Sequence, residues 1–500
     1  MKLKKLLKDI PIQNVKGSKE IEITGICVNS KLVAPGSLFI AKRGSSSDGT
    51  QYIPEAISAG AVAILTDIYD PSLKDVTQLI HPDVHTMEAT LAAHYYQFAS
   101  SQLFMVGITG TNGKTTTSFL LKHLLDQFEG PCGLIGTIEY IIGQHRYQAL
   151  RTTPDVSSNH KMLREMVLQH CRSAVMEVTS HALDQGRVQH IEFDVGLFTN
   201  LSVDHLDYHE TMEDYCLAKT KLFTSLQNKK TNKPFIKTAI VNADSPWHAR
   251  MLEGCSANVI TYGIDNKADL YASDIQLTGH GTQFTMTYKN KTVTCSSPLV
   301  GRFNVYNVLA ASAVALCRFV SLDAIAATIA TFSGVPGRLE SVPNPLGLKI
   351  YVDFAHSDDA LTNVLDCLNE LKQGRIITVF GCGGDRDQSK RSLMAQACEA
   401  LSDISIVTSD NPRSEDPVEI ARQVVKGFRR QDSYVVELDR YIAIEKAIEM
   451  ANPEDIILIA GKGHEPYQIF AHKIIEFDDR KVTSQICQRK HTQLQASKAT

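Results

Sequence analysis

The chain has 500 residues, 43% of them hydrophobic, which is enough for about three soluble domains with separate cores. Its 51 basic and 55 acidic residues give a net charge of −4, so it lacks the basic excess of a nucleic-acid-binding protein. No apolar run approaches the length of about 18 residues that crosses a membrane, and the basic N-terminus lacks a signal-peptide core. We therefore expect a soluble, cytoplasmic protein with no membrane or nucleic-acid partner.

The 11 cysteines are odd in number and scattered, and no two of them have the C-x-x-C spacing. This pattern argues against a disulfide framework and against a structural zinc site. We expect the thiols to be reduced and mostly buried.

Residues 1–84 predict a small α/β domain. Short apolar runs bounded by turn residues indicate strands at 21–23, 36–41 and 60–65, with a helix at 52–59. This pattern alone does not indicate a ligand.

Residues 85–332 alternate between strand and helix patterns, with strands near 105, 134, 174–178 and 194–200. Such alternation predicts a mainly parallel sheet covered by helices on both faces. Between 238 and 300 the apolar residues recur with period 2, which indicates an antiparallel insertion or sheet edge. A helical region is predicted from about 307 to 330.

The first functional motif is the run GITGTNGKTTT at 107–117, between a predicted strand and a predicted helix. Glycines let backbone N–H groups approach a polyphosphate, and the helix N-terminus adds positive potential. Lys114 can reach the outer phosphates, and the Thr115 hydroxyl can bind Mg²⁺. Gly107 lies one residue too early for the usual P-loop spacing, so a tight turn without a ligand is the alternative.

Two strand ends carry polar residues that could face the same phosphates. Glu177 follows the apolar residues 174–176 near the end of one strand, and His205 follows the strand at 194–200. Ligands of open parallel sheets bind at the carboxyl ends of strands. If both strands flank that of the phosphate loop, Glu177 and His205 could hold Mg²⁺. The alternative for His205 is a turn or core histidine.

A lysine lies on the apolar face of the helix predicted at 212–226. Lys219 shares the spacing of the apolar residues, whereas Lys221 does not. An inward lysine can pair with a carboxylate or extend its ammonium to the surface. It can also add CO₂ to form a carbamate, which turns a cation into a metal-binding anion. Helical spacing by itself favours the ion pair or the lysine that extends to the surface.

Residues 333–500 form a second alternating block, with strands at 349–353, 375–380, 404–408, 434–438 and 455–459 and helices between them. Polar segments follow four of these strands, at 353–356, 381–386, 409–413 and 461–465, and a parallel sheet would place all four along one edge. Arg386 and Arg413 suit carboxylates, and Glu465 suits an ammonium group, so the edge indicates a site for an amino acid with several carboxylates. Each arginine alone could equally be a solvated surface charge.

Ordered motifs over nearly the whole chain resemble those of the ATP-dependent Mur ligases of peptidoglycan synthesis. They are the run at 107–117, RTTP at 151–154, MEVTSH at 176–181, NLSVDHLDYH at 200–209, GRFNVYN at 301–307 and the four late segments. The resemblance implies a three-domain α/β, ADP-forming acid–amino-acid ligase. Residues 1–84 would bind the UDP end of a substrate, 85–332 would form a P-loop-type, mainly parallel ATPase domain, and 333–500 a Rossmann-like domain for the incoming amino acid.

The resemblance also assigns residues to ligands. The catalytic residues would be Lys114, Glu177, His205 and Lys219. Mg²⁺ would be held by Thr115, Glu177, His205 and Lys219. ATP would be bound by Gly110, Thr111, Asn112, Gly113, Lys114, Thr115, Thr116, Asn304, Asn307, Arg338, Asp353 and His356. The acceptor and amino-acid substrates would be bound by Ser30, Thr152, Thr153, Ser180, Arg187, Lys219, Arg386, Asp410, Asn411, Arg413, Gly461 and Glu465.

Lys219 lies where the family carries a carbamylated lysine, which reverses the preference for an ion pair. The run DNPR at 410–413 matches members that add meso-diaminopimelate, and lysine-adding members lack this arginine. Diaminopimelate also has a second carboxylate, which Arg413 can bind. The acceptor would be UDP-N-acetylmuramoyl-L-alanyl-D-glutamate, with its D-glutamate carboxylate activated as an acyl phosphate by a monomeric enzyme.

Three other functions remain open. L-Lysine could be the added amino acid. A folylpolyglutamate-type ligase would share the phosphate loop, but the N-terminal domain and the Asn411/Arg413 segment count against it. A nucleotide-driven switch would need only Lys114 and Thr115.

The chain departs from the family pattern at several positions. Asn29 and Lys31 flank Ser30 where the family has Asp-Ser-Arg, Thr50 replaces a histidine, Phe354 replaces a tyrosine, and Ser357-Asp358 replaces threonine–proline. These positions bear on affinity for the nucleotides rather than on the class of reaction.

Overall fold

The structure, a computed structural model, describes residues 1–12, 14–44, 48–227, 233, 235–278 and 281–499. It contains two compact units. The first comprises Met1–Leu201, His205–Thr261 and Ala313–Arg318, and the second comprises Ser202–Asp204, Tyr262–Ser312 and Phe319–Thr500. Within the described ranges, no helix is both long and apolar enough to span a membrane.

The first unit begins with a five-stranded sheet of order β1-β5-β4-β3-β2, parallel except for β1. Its elements are α1 (Leu3–Leu6), β1 (Asn14–Lys16), β2 (Gly25–Cys27), β3 (Ser37–Ile40), α2 (Ile53–Ser58), β4 (Ala63–Thr66), β5 (Thr77–Ile80) and α3 (Val84–Tyr95). The strands predicted at 36–41 and 60–65 and the helix predicted at 52–59 are confirmed as β3, β4 and α2.

The strand predicted at 21–23 is wrong. Only Glu22 forms an isolated bridge, to Lys2. Ile23 is fully buried and its N–H donates to Met1 O at 2.8 Å, while Ile21 O accepts from Leu3 N–H at 2.9 Å. The apolar alternation therefore reflects packing against the N-terminal segment.

The second sheet of this unit has the order β12-β11-β6-β10-β7-β8-β9. Its strands are β6 (Phe104–Thr109), β7 (Cys132–Ile135), β8 (Glu139–Ile142), β9 (His145–Gln148), β10 (Ser173–Glu177), β11 (Val195–Phe198) and β12 (Thr238–Asn242). Strand β13 (Asn258–Gly263) follows β12 in the chain. The helices are α4 (Lys114–Phe128), α5 (Val156–Leu168), α6 (Ser180–Asp184), α7 (Leu206–His209), α8 (Met212–Thr224) and α9 (His248–Met251). Strands β10 and β11 both pair with β6 in parallel. The prediction that Glu177 and His205 face the same phosphates required both strands to flank β6, and this condition is confirmed.

The core of this sheet explains the position of Gly107. All six residues of β6 are buried, and a Cβ atom at Gly107 would lie 2.9 Å from side-chain atoms of Leu222 and Phe193. Gly107 is thus a packing residue of the strand, and the predicted phosphate loop begins at Gly110. Eight of the eleven cysteines are buried, as predicted.

In the second unit, β14 (Leu270–Thr278), β15 (Gly281–Tyr288) and β16 (Lys291–Ser297) pair antiparallel and are followed by α10 (Arg302–Cys317) and α11 (Leu322–Ile329). The antiparallel region predicted for 238–300 is therefore correct from 270 onward. It is wrong for β12, which pairs with β11 in parallel because it is a buried strand of the preceding sheet, and for β13, which pairs with β14 in parallel.

The remaining sheet has the order β17-β18-β22-β19-β20-β21, and β18 to β22 pair only in parallel among themselves. The strands are β17 (Glu340–Ser341), β18 (Lys349–Asp353), β19 (Ile376–Phe380), β20 (Ile404–Val407), β21 (Tyr434–Val436), β22 (Ile456–Ala460), β23 (Tyr467–Phe470) and β24 (Lys473–Glu476). The helices are α12 (Asp358–Glu370), α13 (Lys390–Leu401), α14 (Pro417–Val425), α15 (Arg440–Met450) and α16 (Asp479–Ala499). All five predicted strands are confirmed, so their polar ends share one edge.

A buried ion pair stabilises this last sheet. Arg440 Nε and Nη2 each lie 2.8 Å from an oxygen of Asp479, and both side chains are fully buried. Replacing Arg440 by methionine would leave the carboxylate uncompensated, so we expect the free energy of unfolding to fall by about 3–5 kcal/mol in urea titrations. The exposed Arg422, paired with Glu419, provides the control: Arg422→Met should change it by less than about 0.5 kcal/mol. Equal losses in the two variants would contradict this account.

Candidate active site

The loop between β6 and α4 has the backbone of an anion cradle. Gly110 has φ 147° and Gly113 has φ 84°, conformations that favour glycine. Helix α4 begins at Lys114, and its N-cap residue, Gly113, has no side chain that could cap the first N–H groups. The first amides of a helix have no acceptor within it and carry partial positive charge. The loop can therefore bind a phosphate chain.

The end of β11 fixes the shape of this loop. Thr199 Oγ1 donates to Asn112 O at 2.7 Å, and Asn200 Oδ1 accepts from Asn112 N–H at 2.9 Å. Asn200 O also accepts from Thr111 N–H at 2.9 Å. Sequence motifs included Asn200 but did not show that it holds the loop, because this contact depends on the pairing of β6 with β11.

Gly110 should not tolerate a side chain. A Cβ atom there would lie 1.9 Å from Thr199 Oγ1, and the positive φ adds strain. We expect Gly110→Ala to lower the free energy of unfolding by about 1–3 kcal/mol and to weaken ATP binding measured by calorimetry. Gly347→Ala is the matched control, because Gly347 has φ 70° but open space around it. Unchanged ATP affinity in Gly110→Ala would argue against this cradle.

The Lys114 side chain folds back onto the loop that precedes it. Its Nζ donates to Gly110 O at 2.9 Å and to Thr111 O at 2.8 Å. The ammonium group thus lies against the loop that would hold the phosphates, where it can stabilise negative charge.

Glu177 forms a buried acidic centre beside the loop. Its carboxylate accepts from Thr115 Oγ1 at 3.0 Å, from Thr137 N–H and Oγ1 at 3.0 and 2.9 Å, and from Ser118 Oγ at 3.4 Å. A Cβ atom at Gly136 would lie 2.5 Å from its Oε1. Sequence reasoning missed Thr137, which lies in the turn after β7 where no motif points to it.

The oxygens of Thr115 and Glu177 fit a magnesium ion, which prefers hydroxyl and carboxylate donors. The described residues contain no group of three His, Cys, Asp or Glu side chains that could hold a metal. Magnesium commonly binds through one or two protein oxygens together with substrate phosphates, and this pair matches that mode.

His205 lies in a group of aromatic rings. It has φ 56°, and its ring centroid is 5.0 Å from that of His181 and 6.0 Å from that of Tyr215. Burial and the nearby His181 lower the pKa of His209 in the same group. That His205 shares a metal with Glu177 stays a prediction.

The inward position predicted for Lys219 is confirmed. Lys219 is 1% exposed, whereas Lys221 is 47% exposed and pairs with Asp184 at 2.7 Å. Lys219 Nζ donates to Gly110 O at 3.0 Å and lies 4.4 Å from the Tyr215 ring centroid. Helix α8 thereby brings this amine to the phosphate loop.

Residues predicted to bind the acceptor gather at the end of β10. Thr153 Oγ1 donates to Glu177 O at 2.7 Å, and Thr152 Oγ1 is 3.1 Å from Thr137 Oγ1. Arg187 Nη1 donates to Thr153 O at 3.0 Å. Ser180 Oγ is buried and has no hydrogen-bond partner among the described residues.

Ser30 lies in the five-stranded sheet domain. Its Oγ donates to Glu55 Oε2 at 2.6 Å, at the start of a short helical turn. This domain is joined to α5 through Glu88, whose buried carboxylate accepts from Lys42 Nζ at 2.6 Å and from Ser157 Oγ at 3.0 Å. Sequence reasoning did not identify Glu88.

In the second unit, the predicted nucleotide residues are engaged with their own chain. Asn304 Nδ2 donates to Val300 O at 2.8 Å, and Asn307 Nδ2 donates to Asn304 Oδ1 at 2.9 Å. His356 is exposed, with Nδ1 2.8 Å from Phe354 O.

Asp353 is buried, and its two oxygens accept backbone N–H groups at 2.6 and 2.7 Å. Burial raises the pKa of Asp353, although Arg338 opposes this effect. The Arg338 guanidinium lies 4.5 Å from the Phe354 ring centroid. Burial, helped by Arg338, lowers the pKa of His464 to about 3, so His464 is neutral at pH 7. A nucleotide-binding role for these side chains stays a prediction.

The residues predicted to bind the amino-acid substrate, in the polar segments after β19, β20 and β22, lie close together. Asn411 Nδ2 donates to Glu465 Oε2 at 2.8 Å, and Arg413 Nη1 donates to Gly384 O at 2.7 Å. A Cβ atom at Gly461 would lie 2.7 Å from Asp410 Oδ2. The ends of β19, β20 and β22 thus form one polar cluster.

Arg386 is exposed near this cluster. A Cβ atom at Gly383 would lie 2.8 Å from Arg413 Nη1 and 3.6 Å from Arg386 Cγ, so Gly383 lies between the two arginines. Lys462, also in the cluster, was not predicted as a site residue, because its burial cannot be read from the glycine-rich run around it.

Three family models match the chain. They are the Mur ligase family catalytic domain at residues 22–96, the Mur ligase middle domain at 108–315 and the Mur ligase glutamate ligase domain at 337–463. The chain belongs to the Mur ligase family of ATP-dependent, ADP-forming amide ligases.

Its relatives are similar over nearly their full length. The UDP-N-acetylmuramoyl-L-alanyl-D-glutamate–2,6-diaminopimelate ligase of Chlamydia pneumoniae is 43% identical over 97% of this chain and 99% of its own. That of Chlamydia abortus is 44% identical over 96% and 98%. A solved structure of a ligase with this name has a TM-score of 0.69 and 30% identity, covering 97% of this chain and 99% of its own.

Proposed function

We propose that the protein joins meso-2,6-diaminopimelate to UDP-N-acetylmuramoyl-L-alanyl-D-glutamate in an ATP-dependent reaction of cytoplasmic peptidoglycan precursor synthesis. The observation that carries the proposal is the polar cluster of the late strand ends, where Arg413 and Glu465 flank Asn411. This cluster offers a cation and an anion to one end of an amino acid. The names of the full-length relatives support the same substrates.

The cluster has free bonding capacity that suits diaminopimelate. The hydrogen bonds of the Arg413 side chain to described residues use Nη1 alone, which leaves its other edge for a carboxylate. Asp410 is 6% exposed, and its carboxylate accepts no hydrogen bond from the described residues. The far end of diaminopimelate has one carboxylate and one ammonium group, whereas that of L-lysine has the ammonium only.

In the first half-reaction, an oxygen of the D-glutamate side-chain carboxylate attacks the γ-phosphorus of ATP. An acyl phosphate forms and ADP leaves. Lys114 and the first amides of α4 stabilise the charge on the transferring phosphoryl group. A magnesium ion bound to Thr115 and Glu177 would neutralise phosphate charge.

In the second half-reaction, the neutral amine at the near end of diaminopimelate attacks the acyl carbon. The C–N bond forms, inorganic phosphate leaves, and the amine loses a proton. Arg386 binds the near carboxylate, and Arg413 and Glu465 bind the far end. No side chain of the protein needs to act as a nucleophile.

Lys219 is proposed to carry a carbamate. Its neutral amine would attack CO₂, forming an N–C bond and releasing a proton, so the buried cation beside Gly110 becomes an anion that can bind a metal. With ¹³C-labelled bicarbonate, we expect a carbamate carbon signal in NMR spectra of the wild type that is lost in Lys219→Met. Lys221→Met is the control and should keep the signal. An active wild-type enzyme without the signal would contradict this assignment.

The ligase reaction is tested by phosphate release from ATP. Release should require both the UDP-linked acceptor and diaminopimelate. A nucleotide-driven switch would instead release phosphate at the same rate with and without them, which would refute the proposal.

The domain limits at 84/85 and 332/333 and a monomeric state belong to the same proposal. The three successive family matches support the order of the domains. Light scattering during size-exclusion chromatography should give a mass near 55.2 kDa. A mass of twice this value would contradict the monomer.

A further inference from the structure

Lys462 is a buried cation in the polar cluster, and no step of the proposed reaction uses it. Its side chain is fully buried. Its Nζ donates to Asn411 Oδ1 at 3.2 Å and to Glu465 Oε2 at 3.4 Å, and lies 3.9 Å from Asp410 Oδ1. A buried lysine is costly unless its charge is compensated, so both carboxylates contribute to keeping it there.

Lys462 orients the two side chains that it contacts. Asn411 Oδ1 accepts from Lys462 Nζ and, at 3.0 Å, from Ile469 N–H, which turns Nδ2 toward Glu465 Oε2. Glu465 Oε2 is thus bonded by both Asn411 and Lys462. Its Oε1 receives no hydrogen bond from the described residues, so this oxygen is the one left for a ligand.

Lys462 also sets the charge of the cluster. Asp410 and Glu465 carry two negative charges, and Lys462 and Arg413 carry two positive charges, so the four sum to zero. The far end of diaminopimelate, with one ammonium and one carboxylate, also has no net charge. The far end of L-lysine has a charge of +1. Without Lys462 the cluster would have a charge of −1 and would complement a bare ammonium group.

We propose that Lys462 is a specificity-determining positioning residue, which makes the polar cluster prefer a zwitterionic end of an amino acid over a bare ammonium end. This inference rests on the proposed function, because it concerns the amino-acid site of that reaction. It adds a second determinant to Arg413, since Arg413 binds the extra carboxylate whereas Lys462 disfavours a substrate that lacks one.

The test compares kcat/KM for diaminopimelate with kcat/KM for L-lysine in Lys462→Gln. We expect the ratio of the two to fall at least about tenfold, mainly through a higher KM for diaminopimelate. The matched control is Lys446→Gln, since Lys446 forms an ion pair with Glu437 in the same unit but outside the cluster. The ratio should be unchanged in the control. A wild-type ratio in folded Lys462→Gln would overturn the inference.

A second pair of variants tests the role of Lys462 in selectivity even if Lys462→Gln fails to fold. The double variant Lys462→Gln/Glu465→Gln leaves no uncompensated charge, because Asp410 and Arg413 balance each other. Glu465→Gln alone leaves a charge of +1. We expect the ratio of kcat/KM for diaminopimelate to kcat/KM for L-lysine to be at least about tenfold higher in the single Glu465→Gln variant than in the double variant. Equal ratios in these two variants would also overturn the inference.

The wild type separates this inference from the proposed function. If the wild type ligates neither amino acid, the proposed function itself fails. If the wild type ligates diaminopimelate and the variants keep its selectivity, only the role of Lys462 fails.

Discussion

Replacing Arg413 by alanine is expected to lower kcat/KM for diaminopimelate by about 100-fold, because the charge-assisted bond to the second carboxylate is lost. The loss should appear as a higher KM, and ATP binding measured by calorimetry should be unchanged. Among the described residues, the guanidinium donates only to backbone oxygens of Gly384 and Asn411, so the variant should fold.

The exposed Arg422 provides the control for Arg413. Arg422→Ala should leave both kinetic constants within about twofold of the wild type. Unchanged diaminopimelate kinetics in Arg413→Ala would refute the assignment of the second carboxylate. They would also remove the argument for diaminopimelate over L-lysine that rests on this side chain.

Lys114→Met is expected to lower kcat by about 1000-fold, because the ammonium group stabilises charge that develops on the transferring phosphoryl group. Its Nζ lies against the loop, where it donates to backbone oxygens at 2.9 and 2.8 Å.

Lys161→Met is the control for Lys114, since Lys161 is exposed on α5 and lies 4.0 Å from Glu165. Its kcat should equal that of the wild type. A Lys114→Met variant with more than a tenth of wild-type kcat would show that this side chain has no major part in phosphoryl transfer.

The buried parallel strands could be predicted from sequence because each is a continuous apolar run bounded by polar or glycine-rich segments. The five strands found at 349–459 all follow this rule. Strand β9 could not be predicted, since all four of its residues are exposed and no hydrophobic pattern marks it. The segment at 21–23 shows the converse error, because a buried Ile23 produced a strand-like pattern without a strand.

Ligands of open parallel sheets bind at the carboxyl ends of strands. This rule located Glu177 and the late polar segments, because it needs only the direction of the chain through the sheet. It could not find Thr137, whose contact with Glu177 depends on the pairing of β7 with β10. Lys462 was missed for a related reason. Its neighbours Asp410 and Asn411 are about fifty residues away in sequence and meet it only across the sheet edge.

The carbamate on Lys219 is predicted from resemblance to the Mur ligases, because geometry alone does not indicate it. Contacts show Lys219 as a buried amine at the phosphate loop, which is compatible with either an ammonium or a carbamate. The labelled-bicarbonate experiment decides between these two states.

We propose that the protein makes the amide bond of diaminopimelate to the UDP-linked dipeptide. The most direct measurement supplies UDP-N-acetylmuramoyl-L-alanyl-D-glutamate and ATP with equal concentrations of meso-diaminopimelate and L-lysine, and identifies the product by mass. We predict the diaminopimelate product, with one ADP formed for each amide bond. A predominant lysine product, or ADP formed without any amide product, would contradict the account.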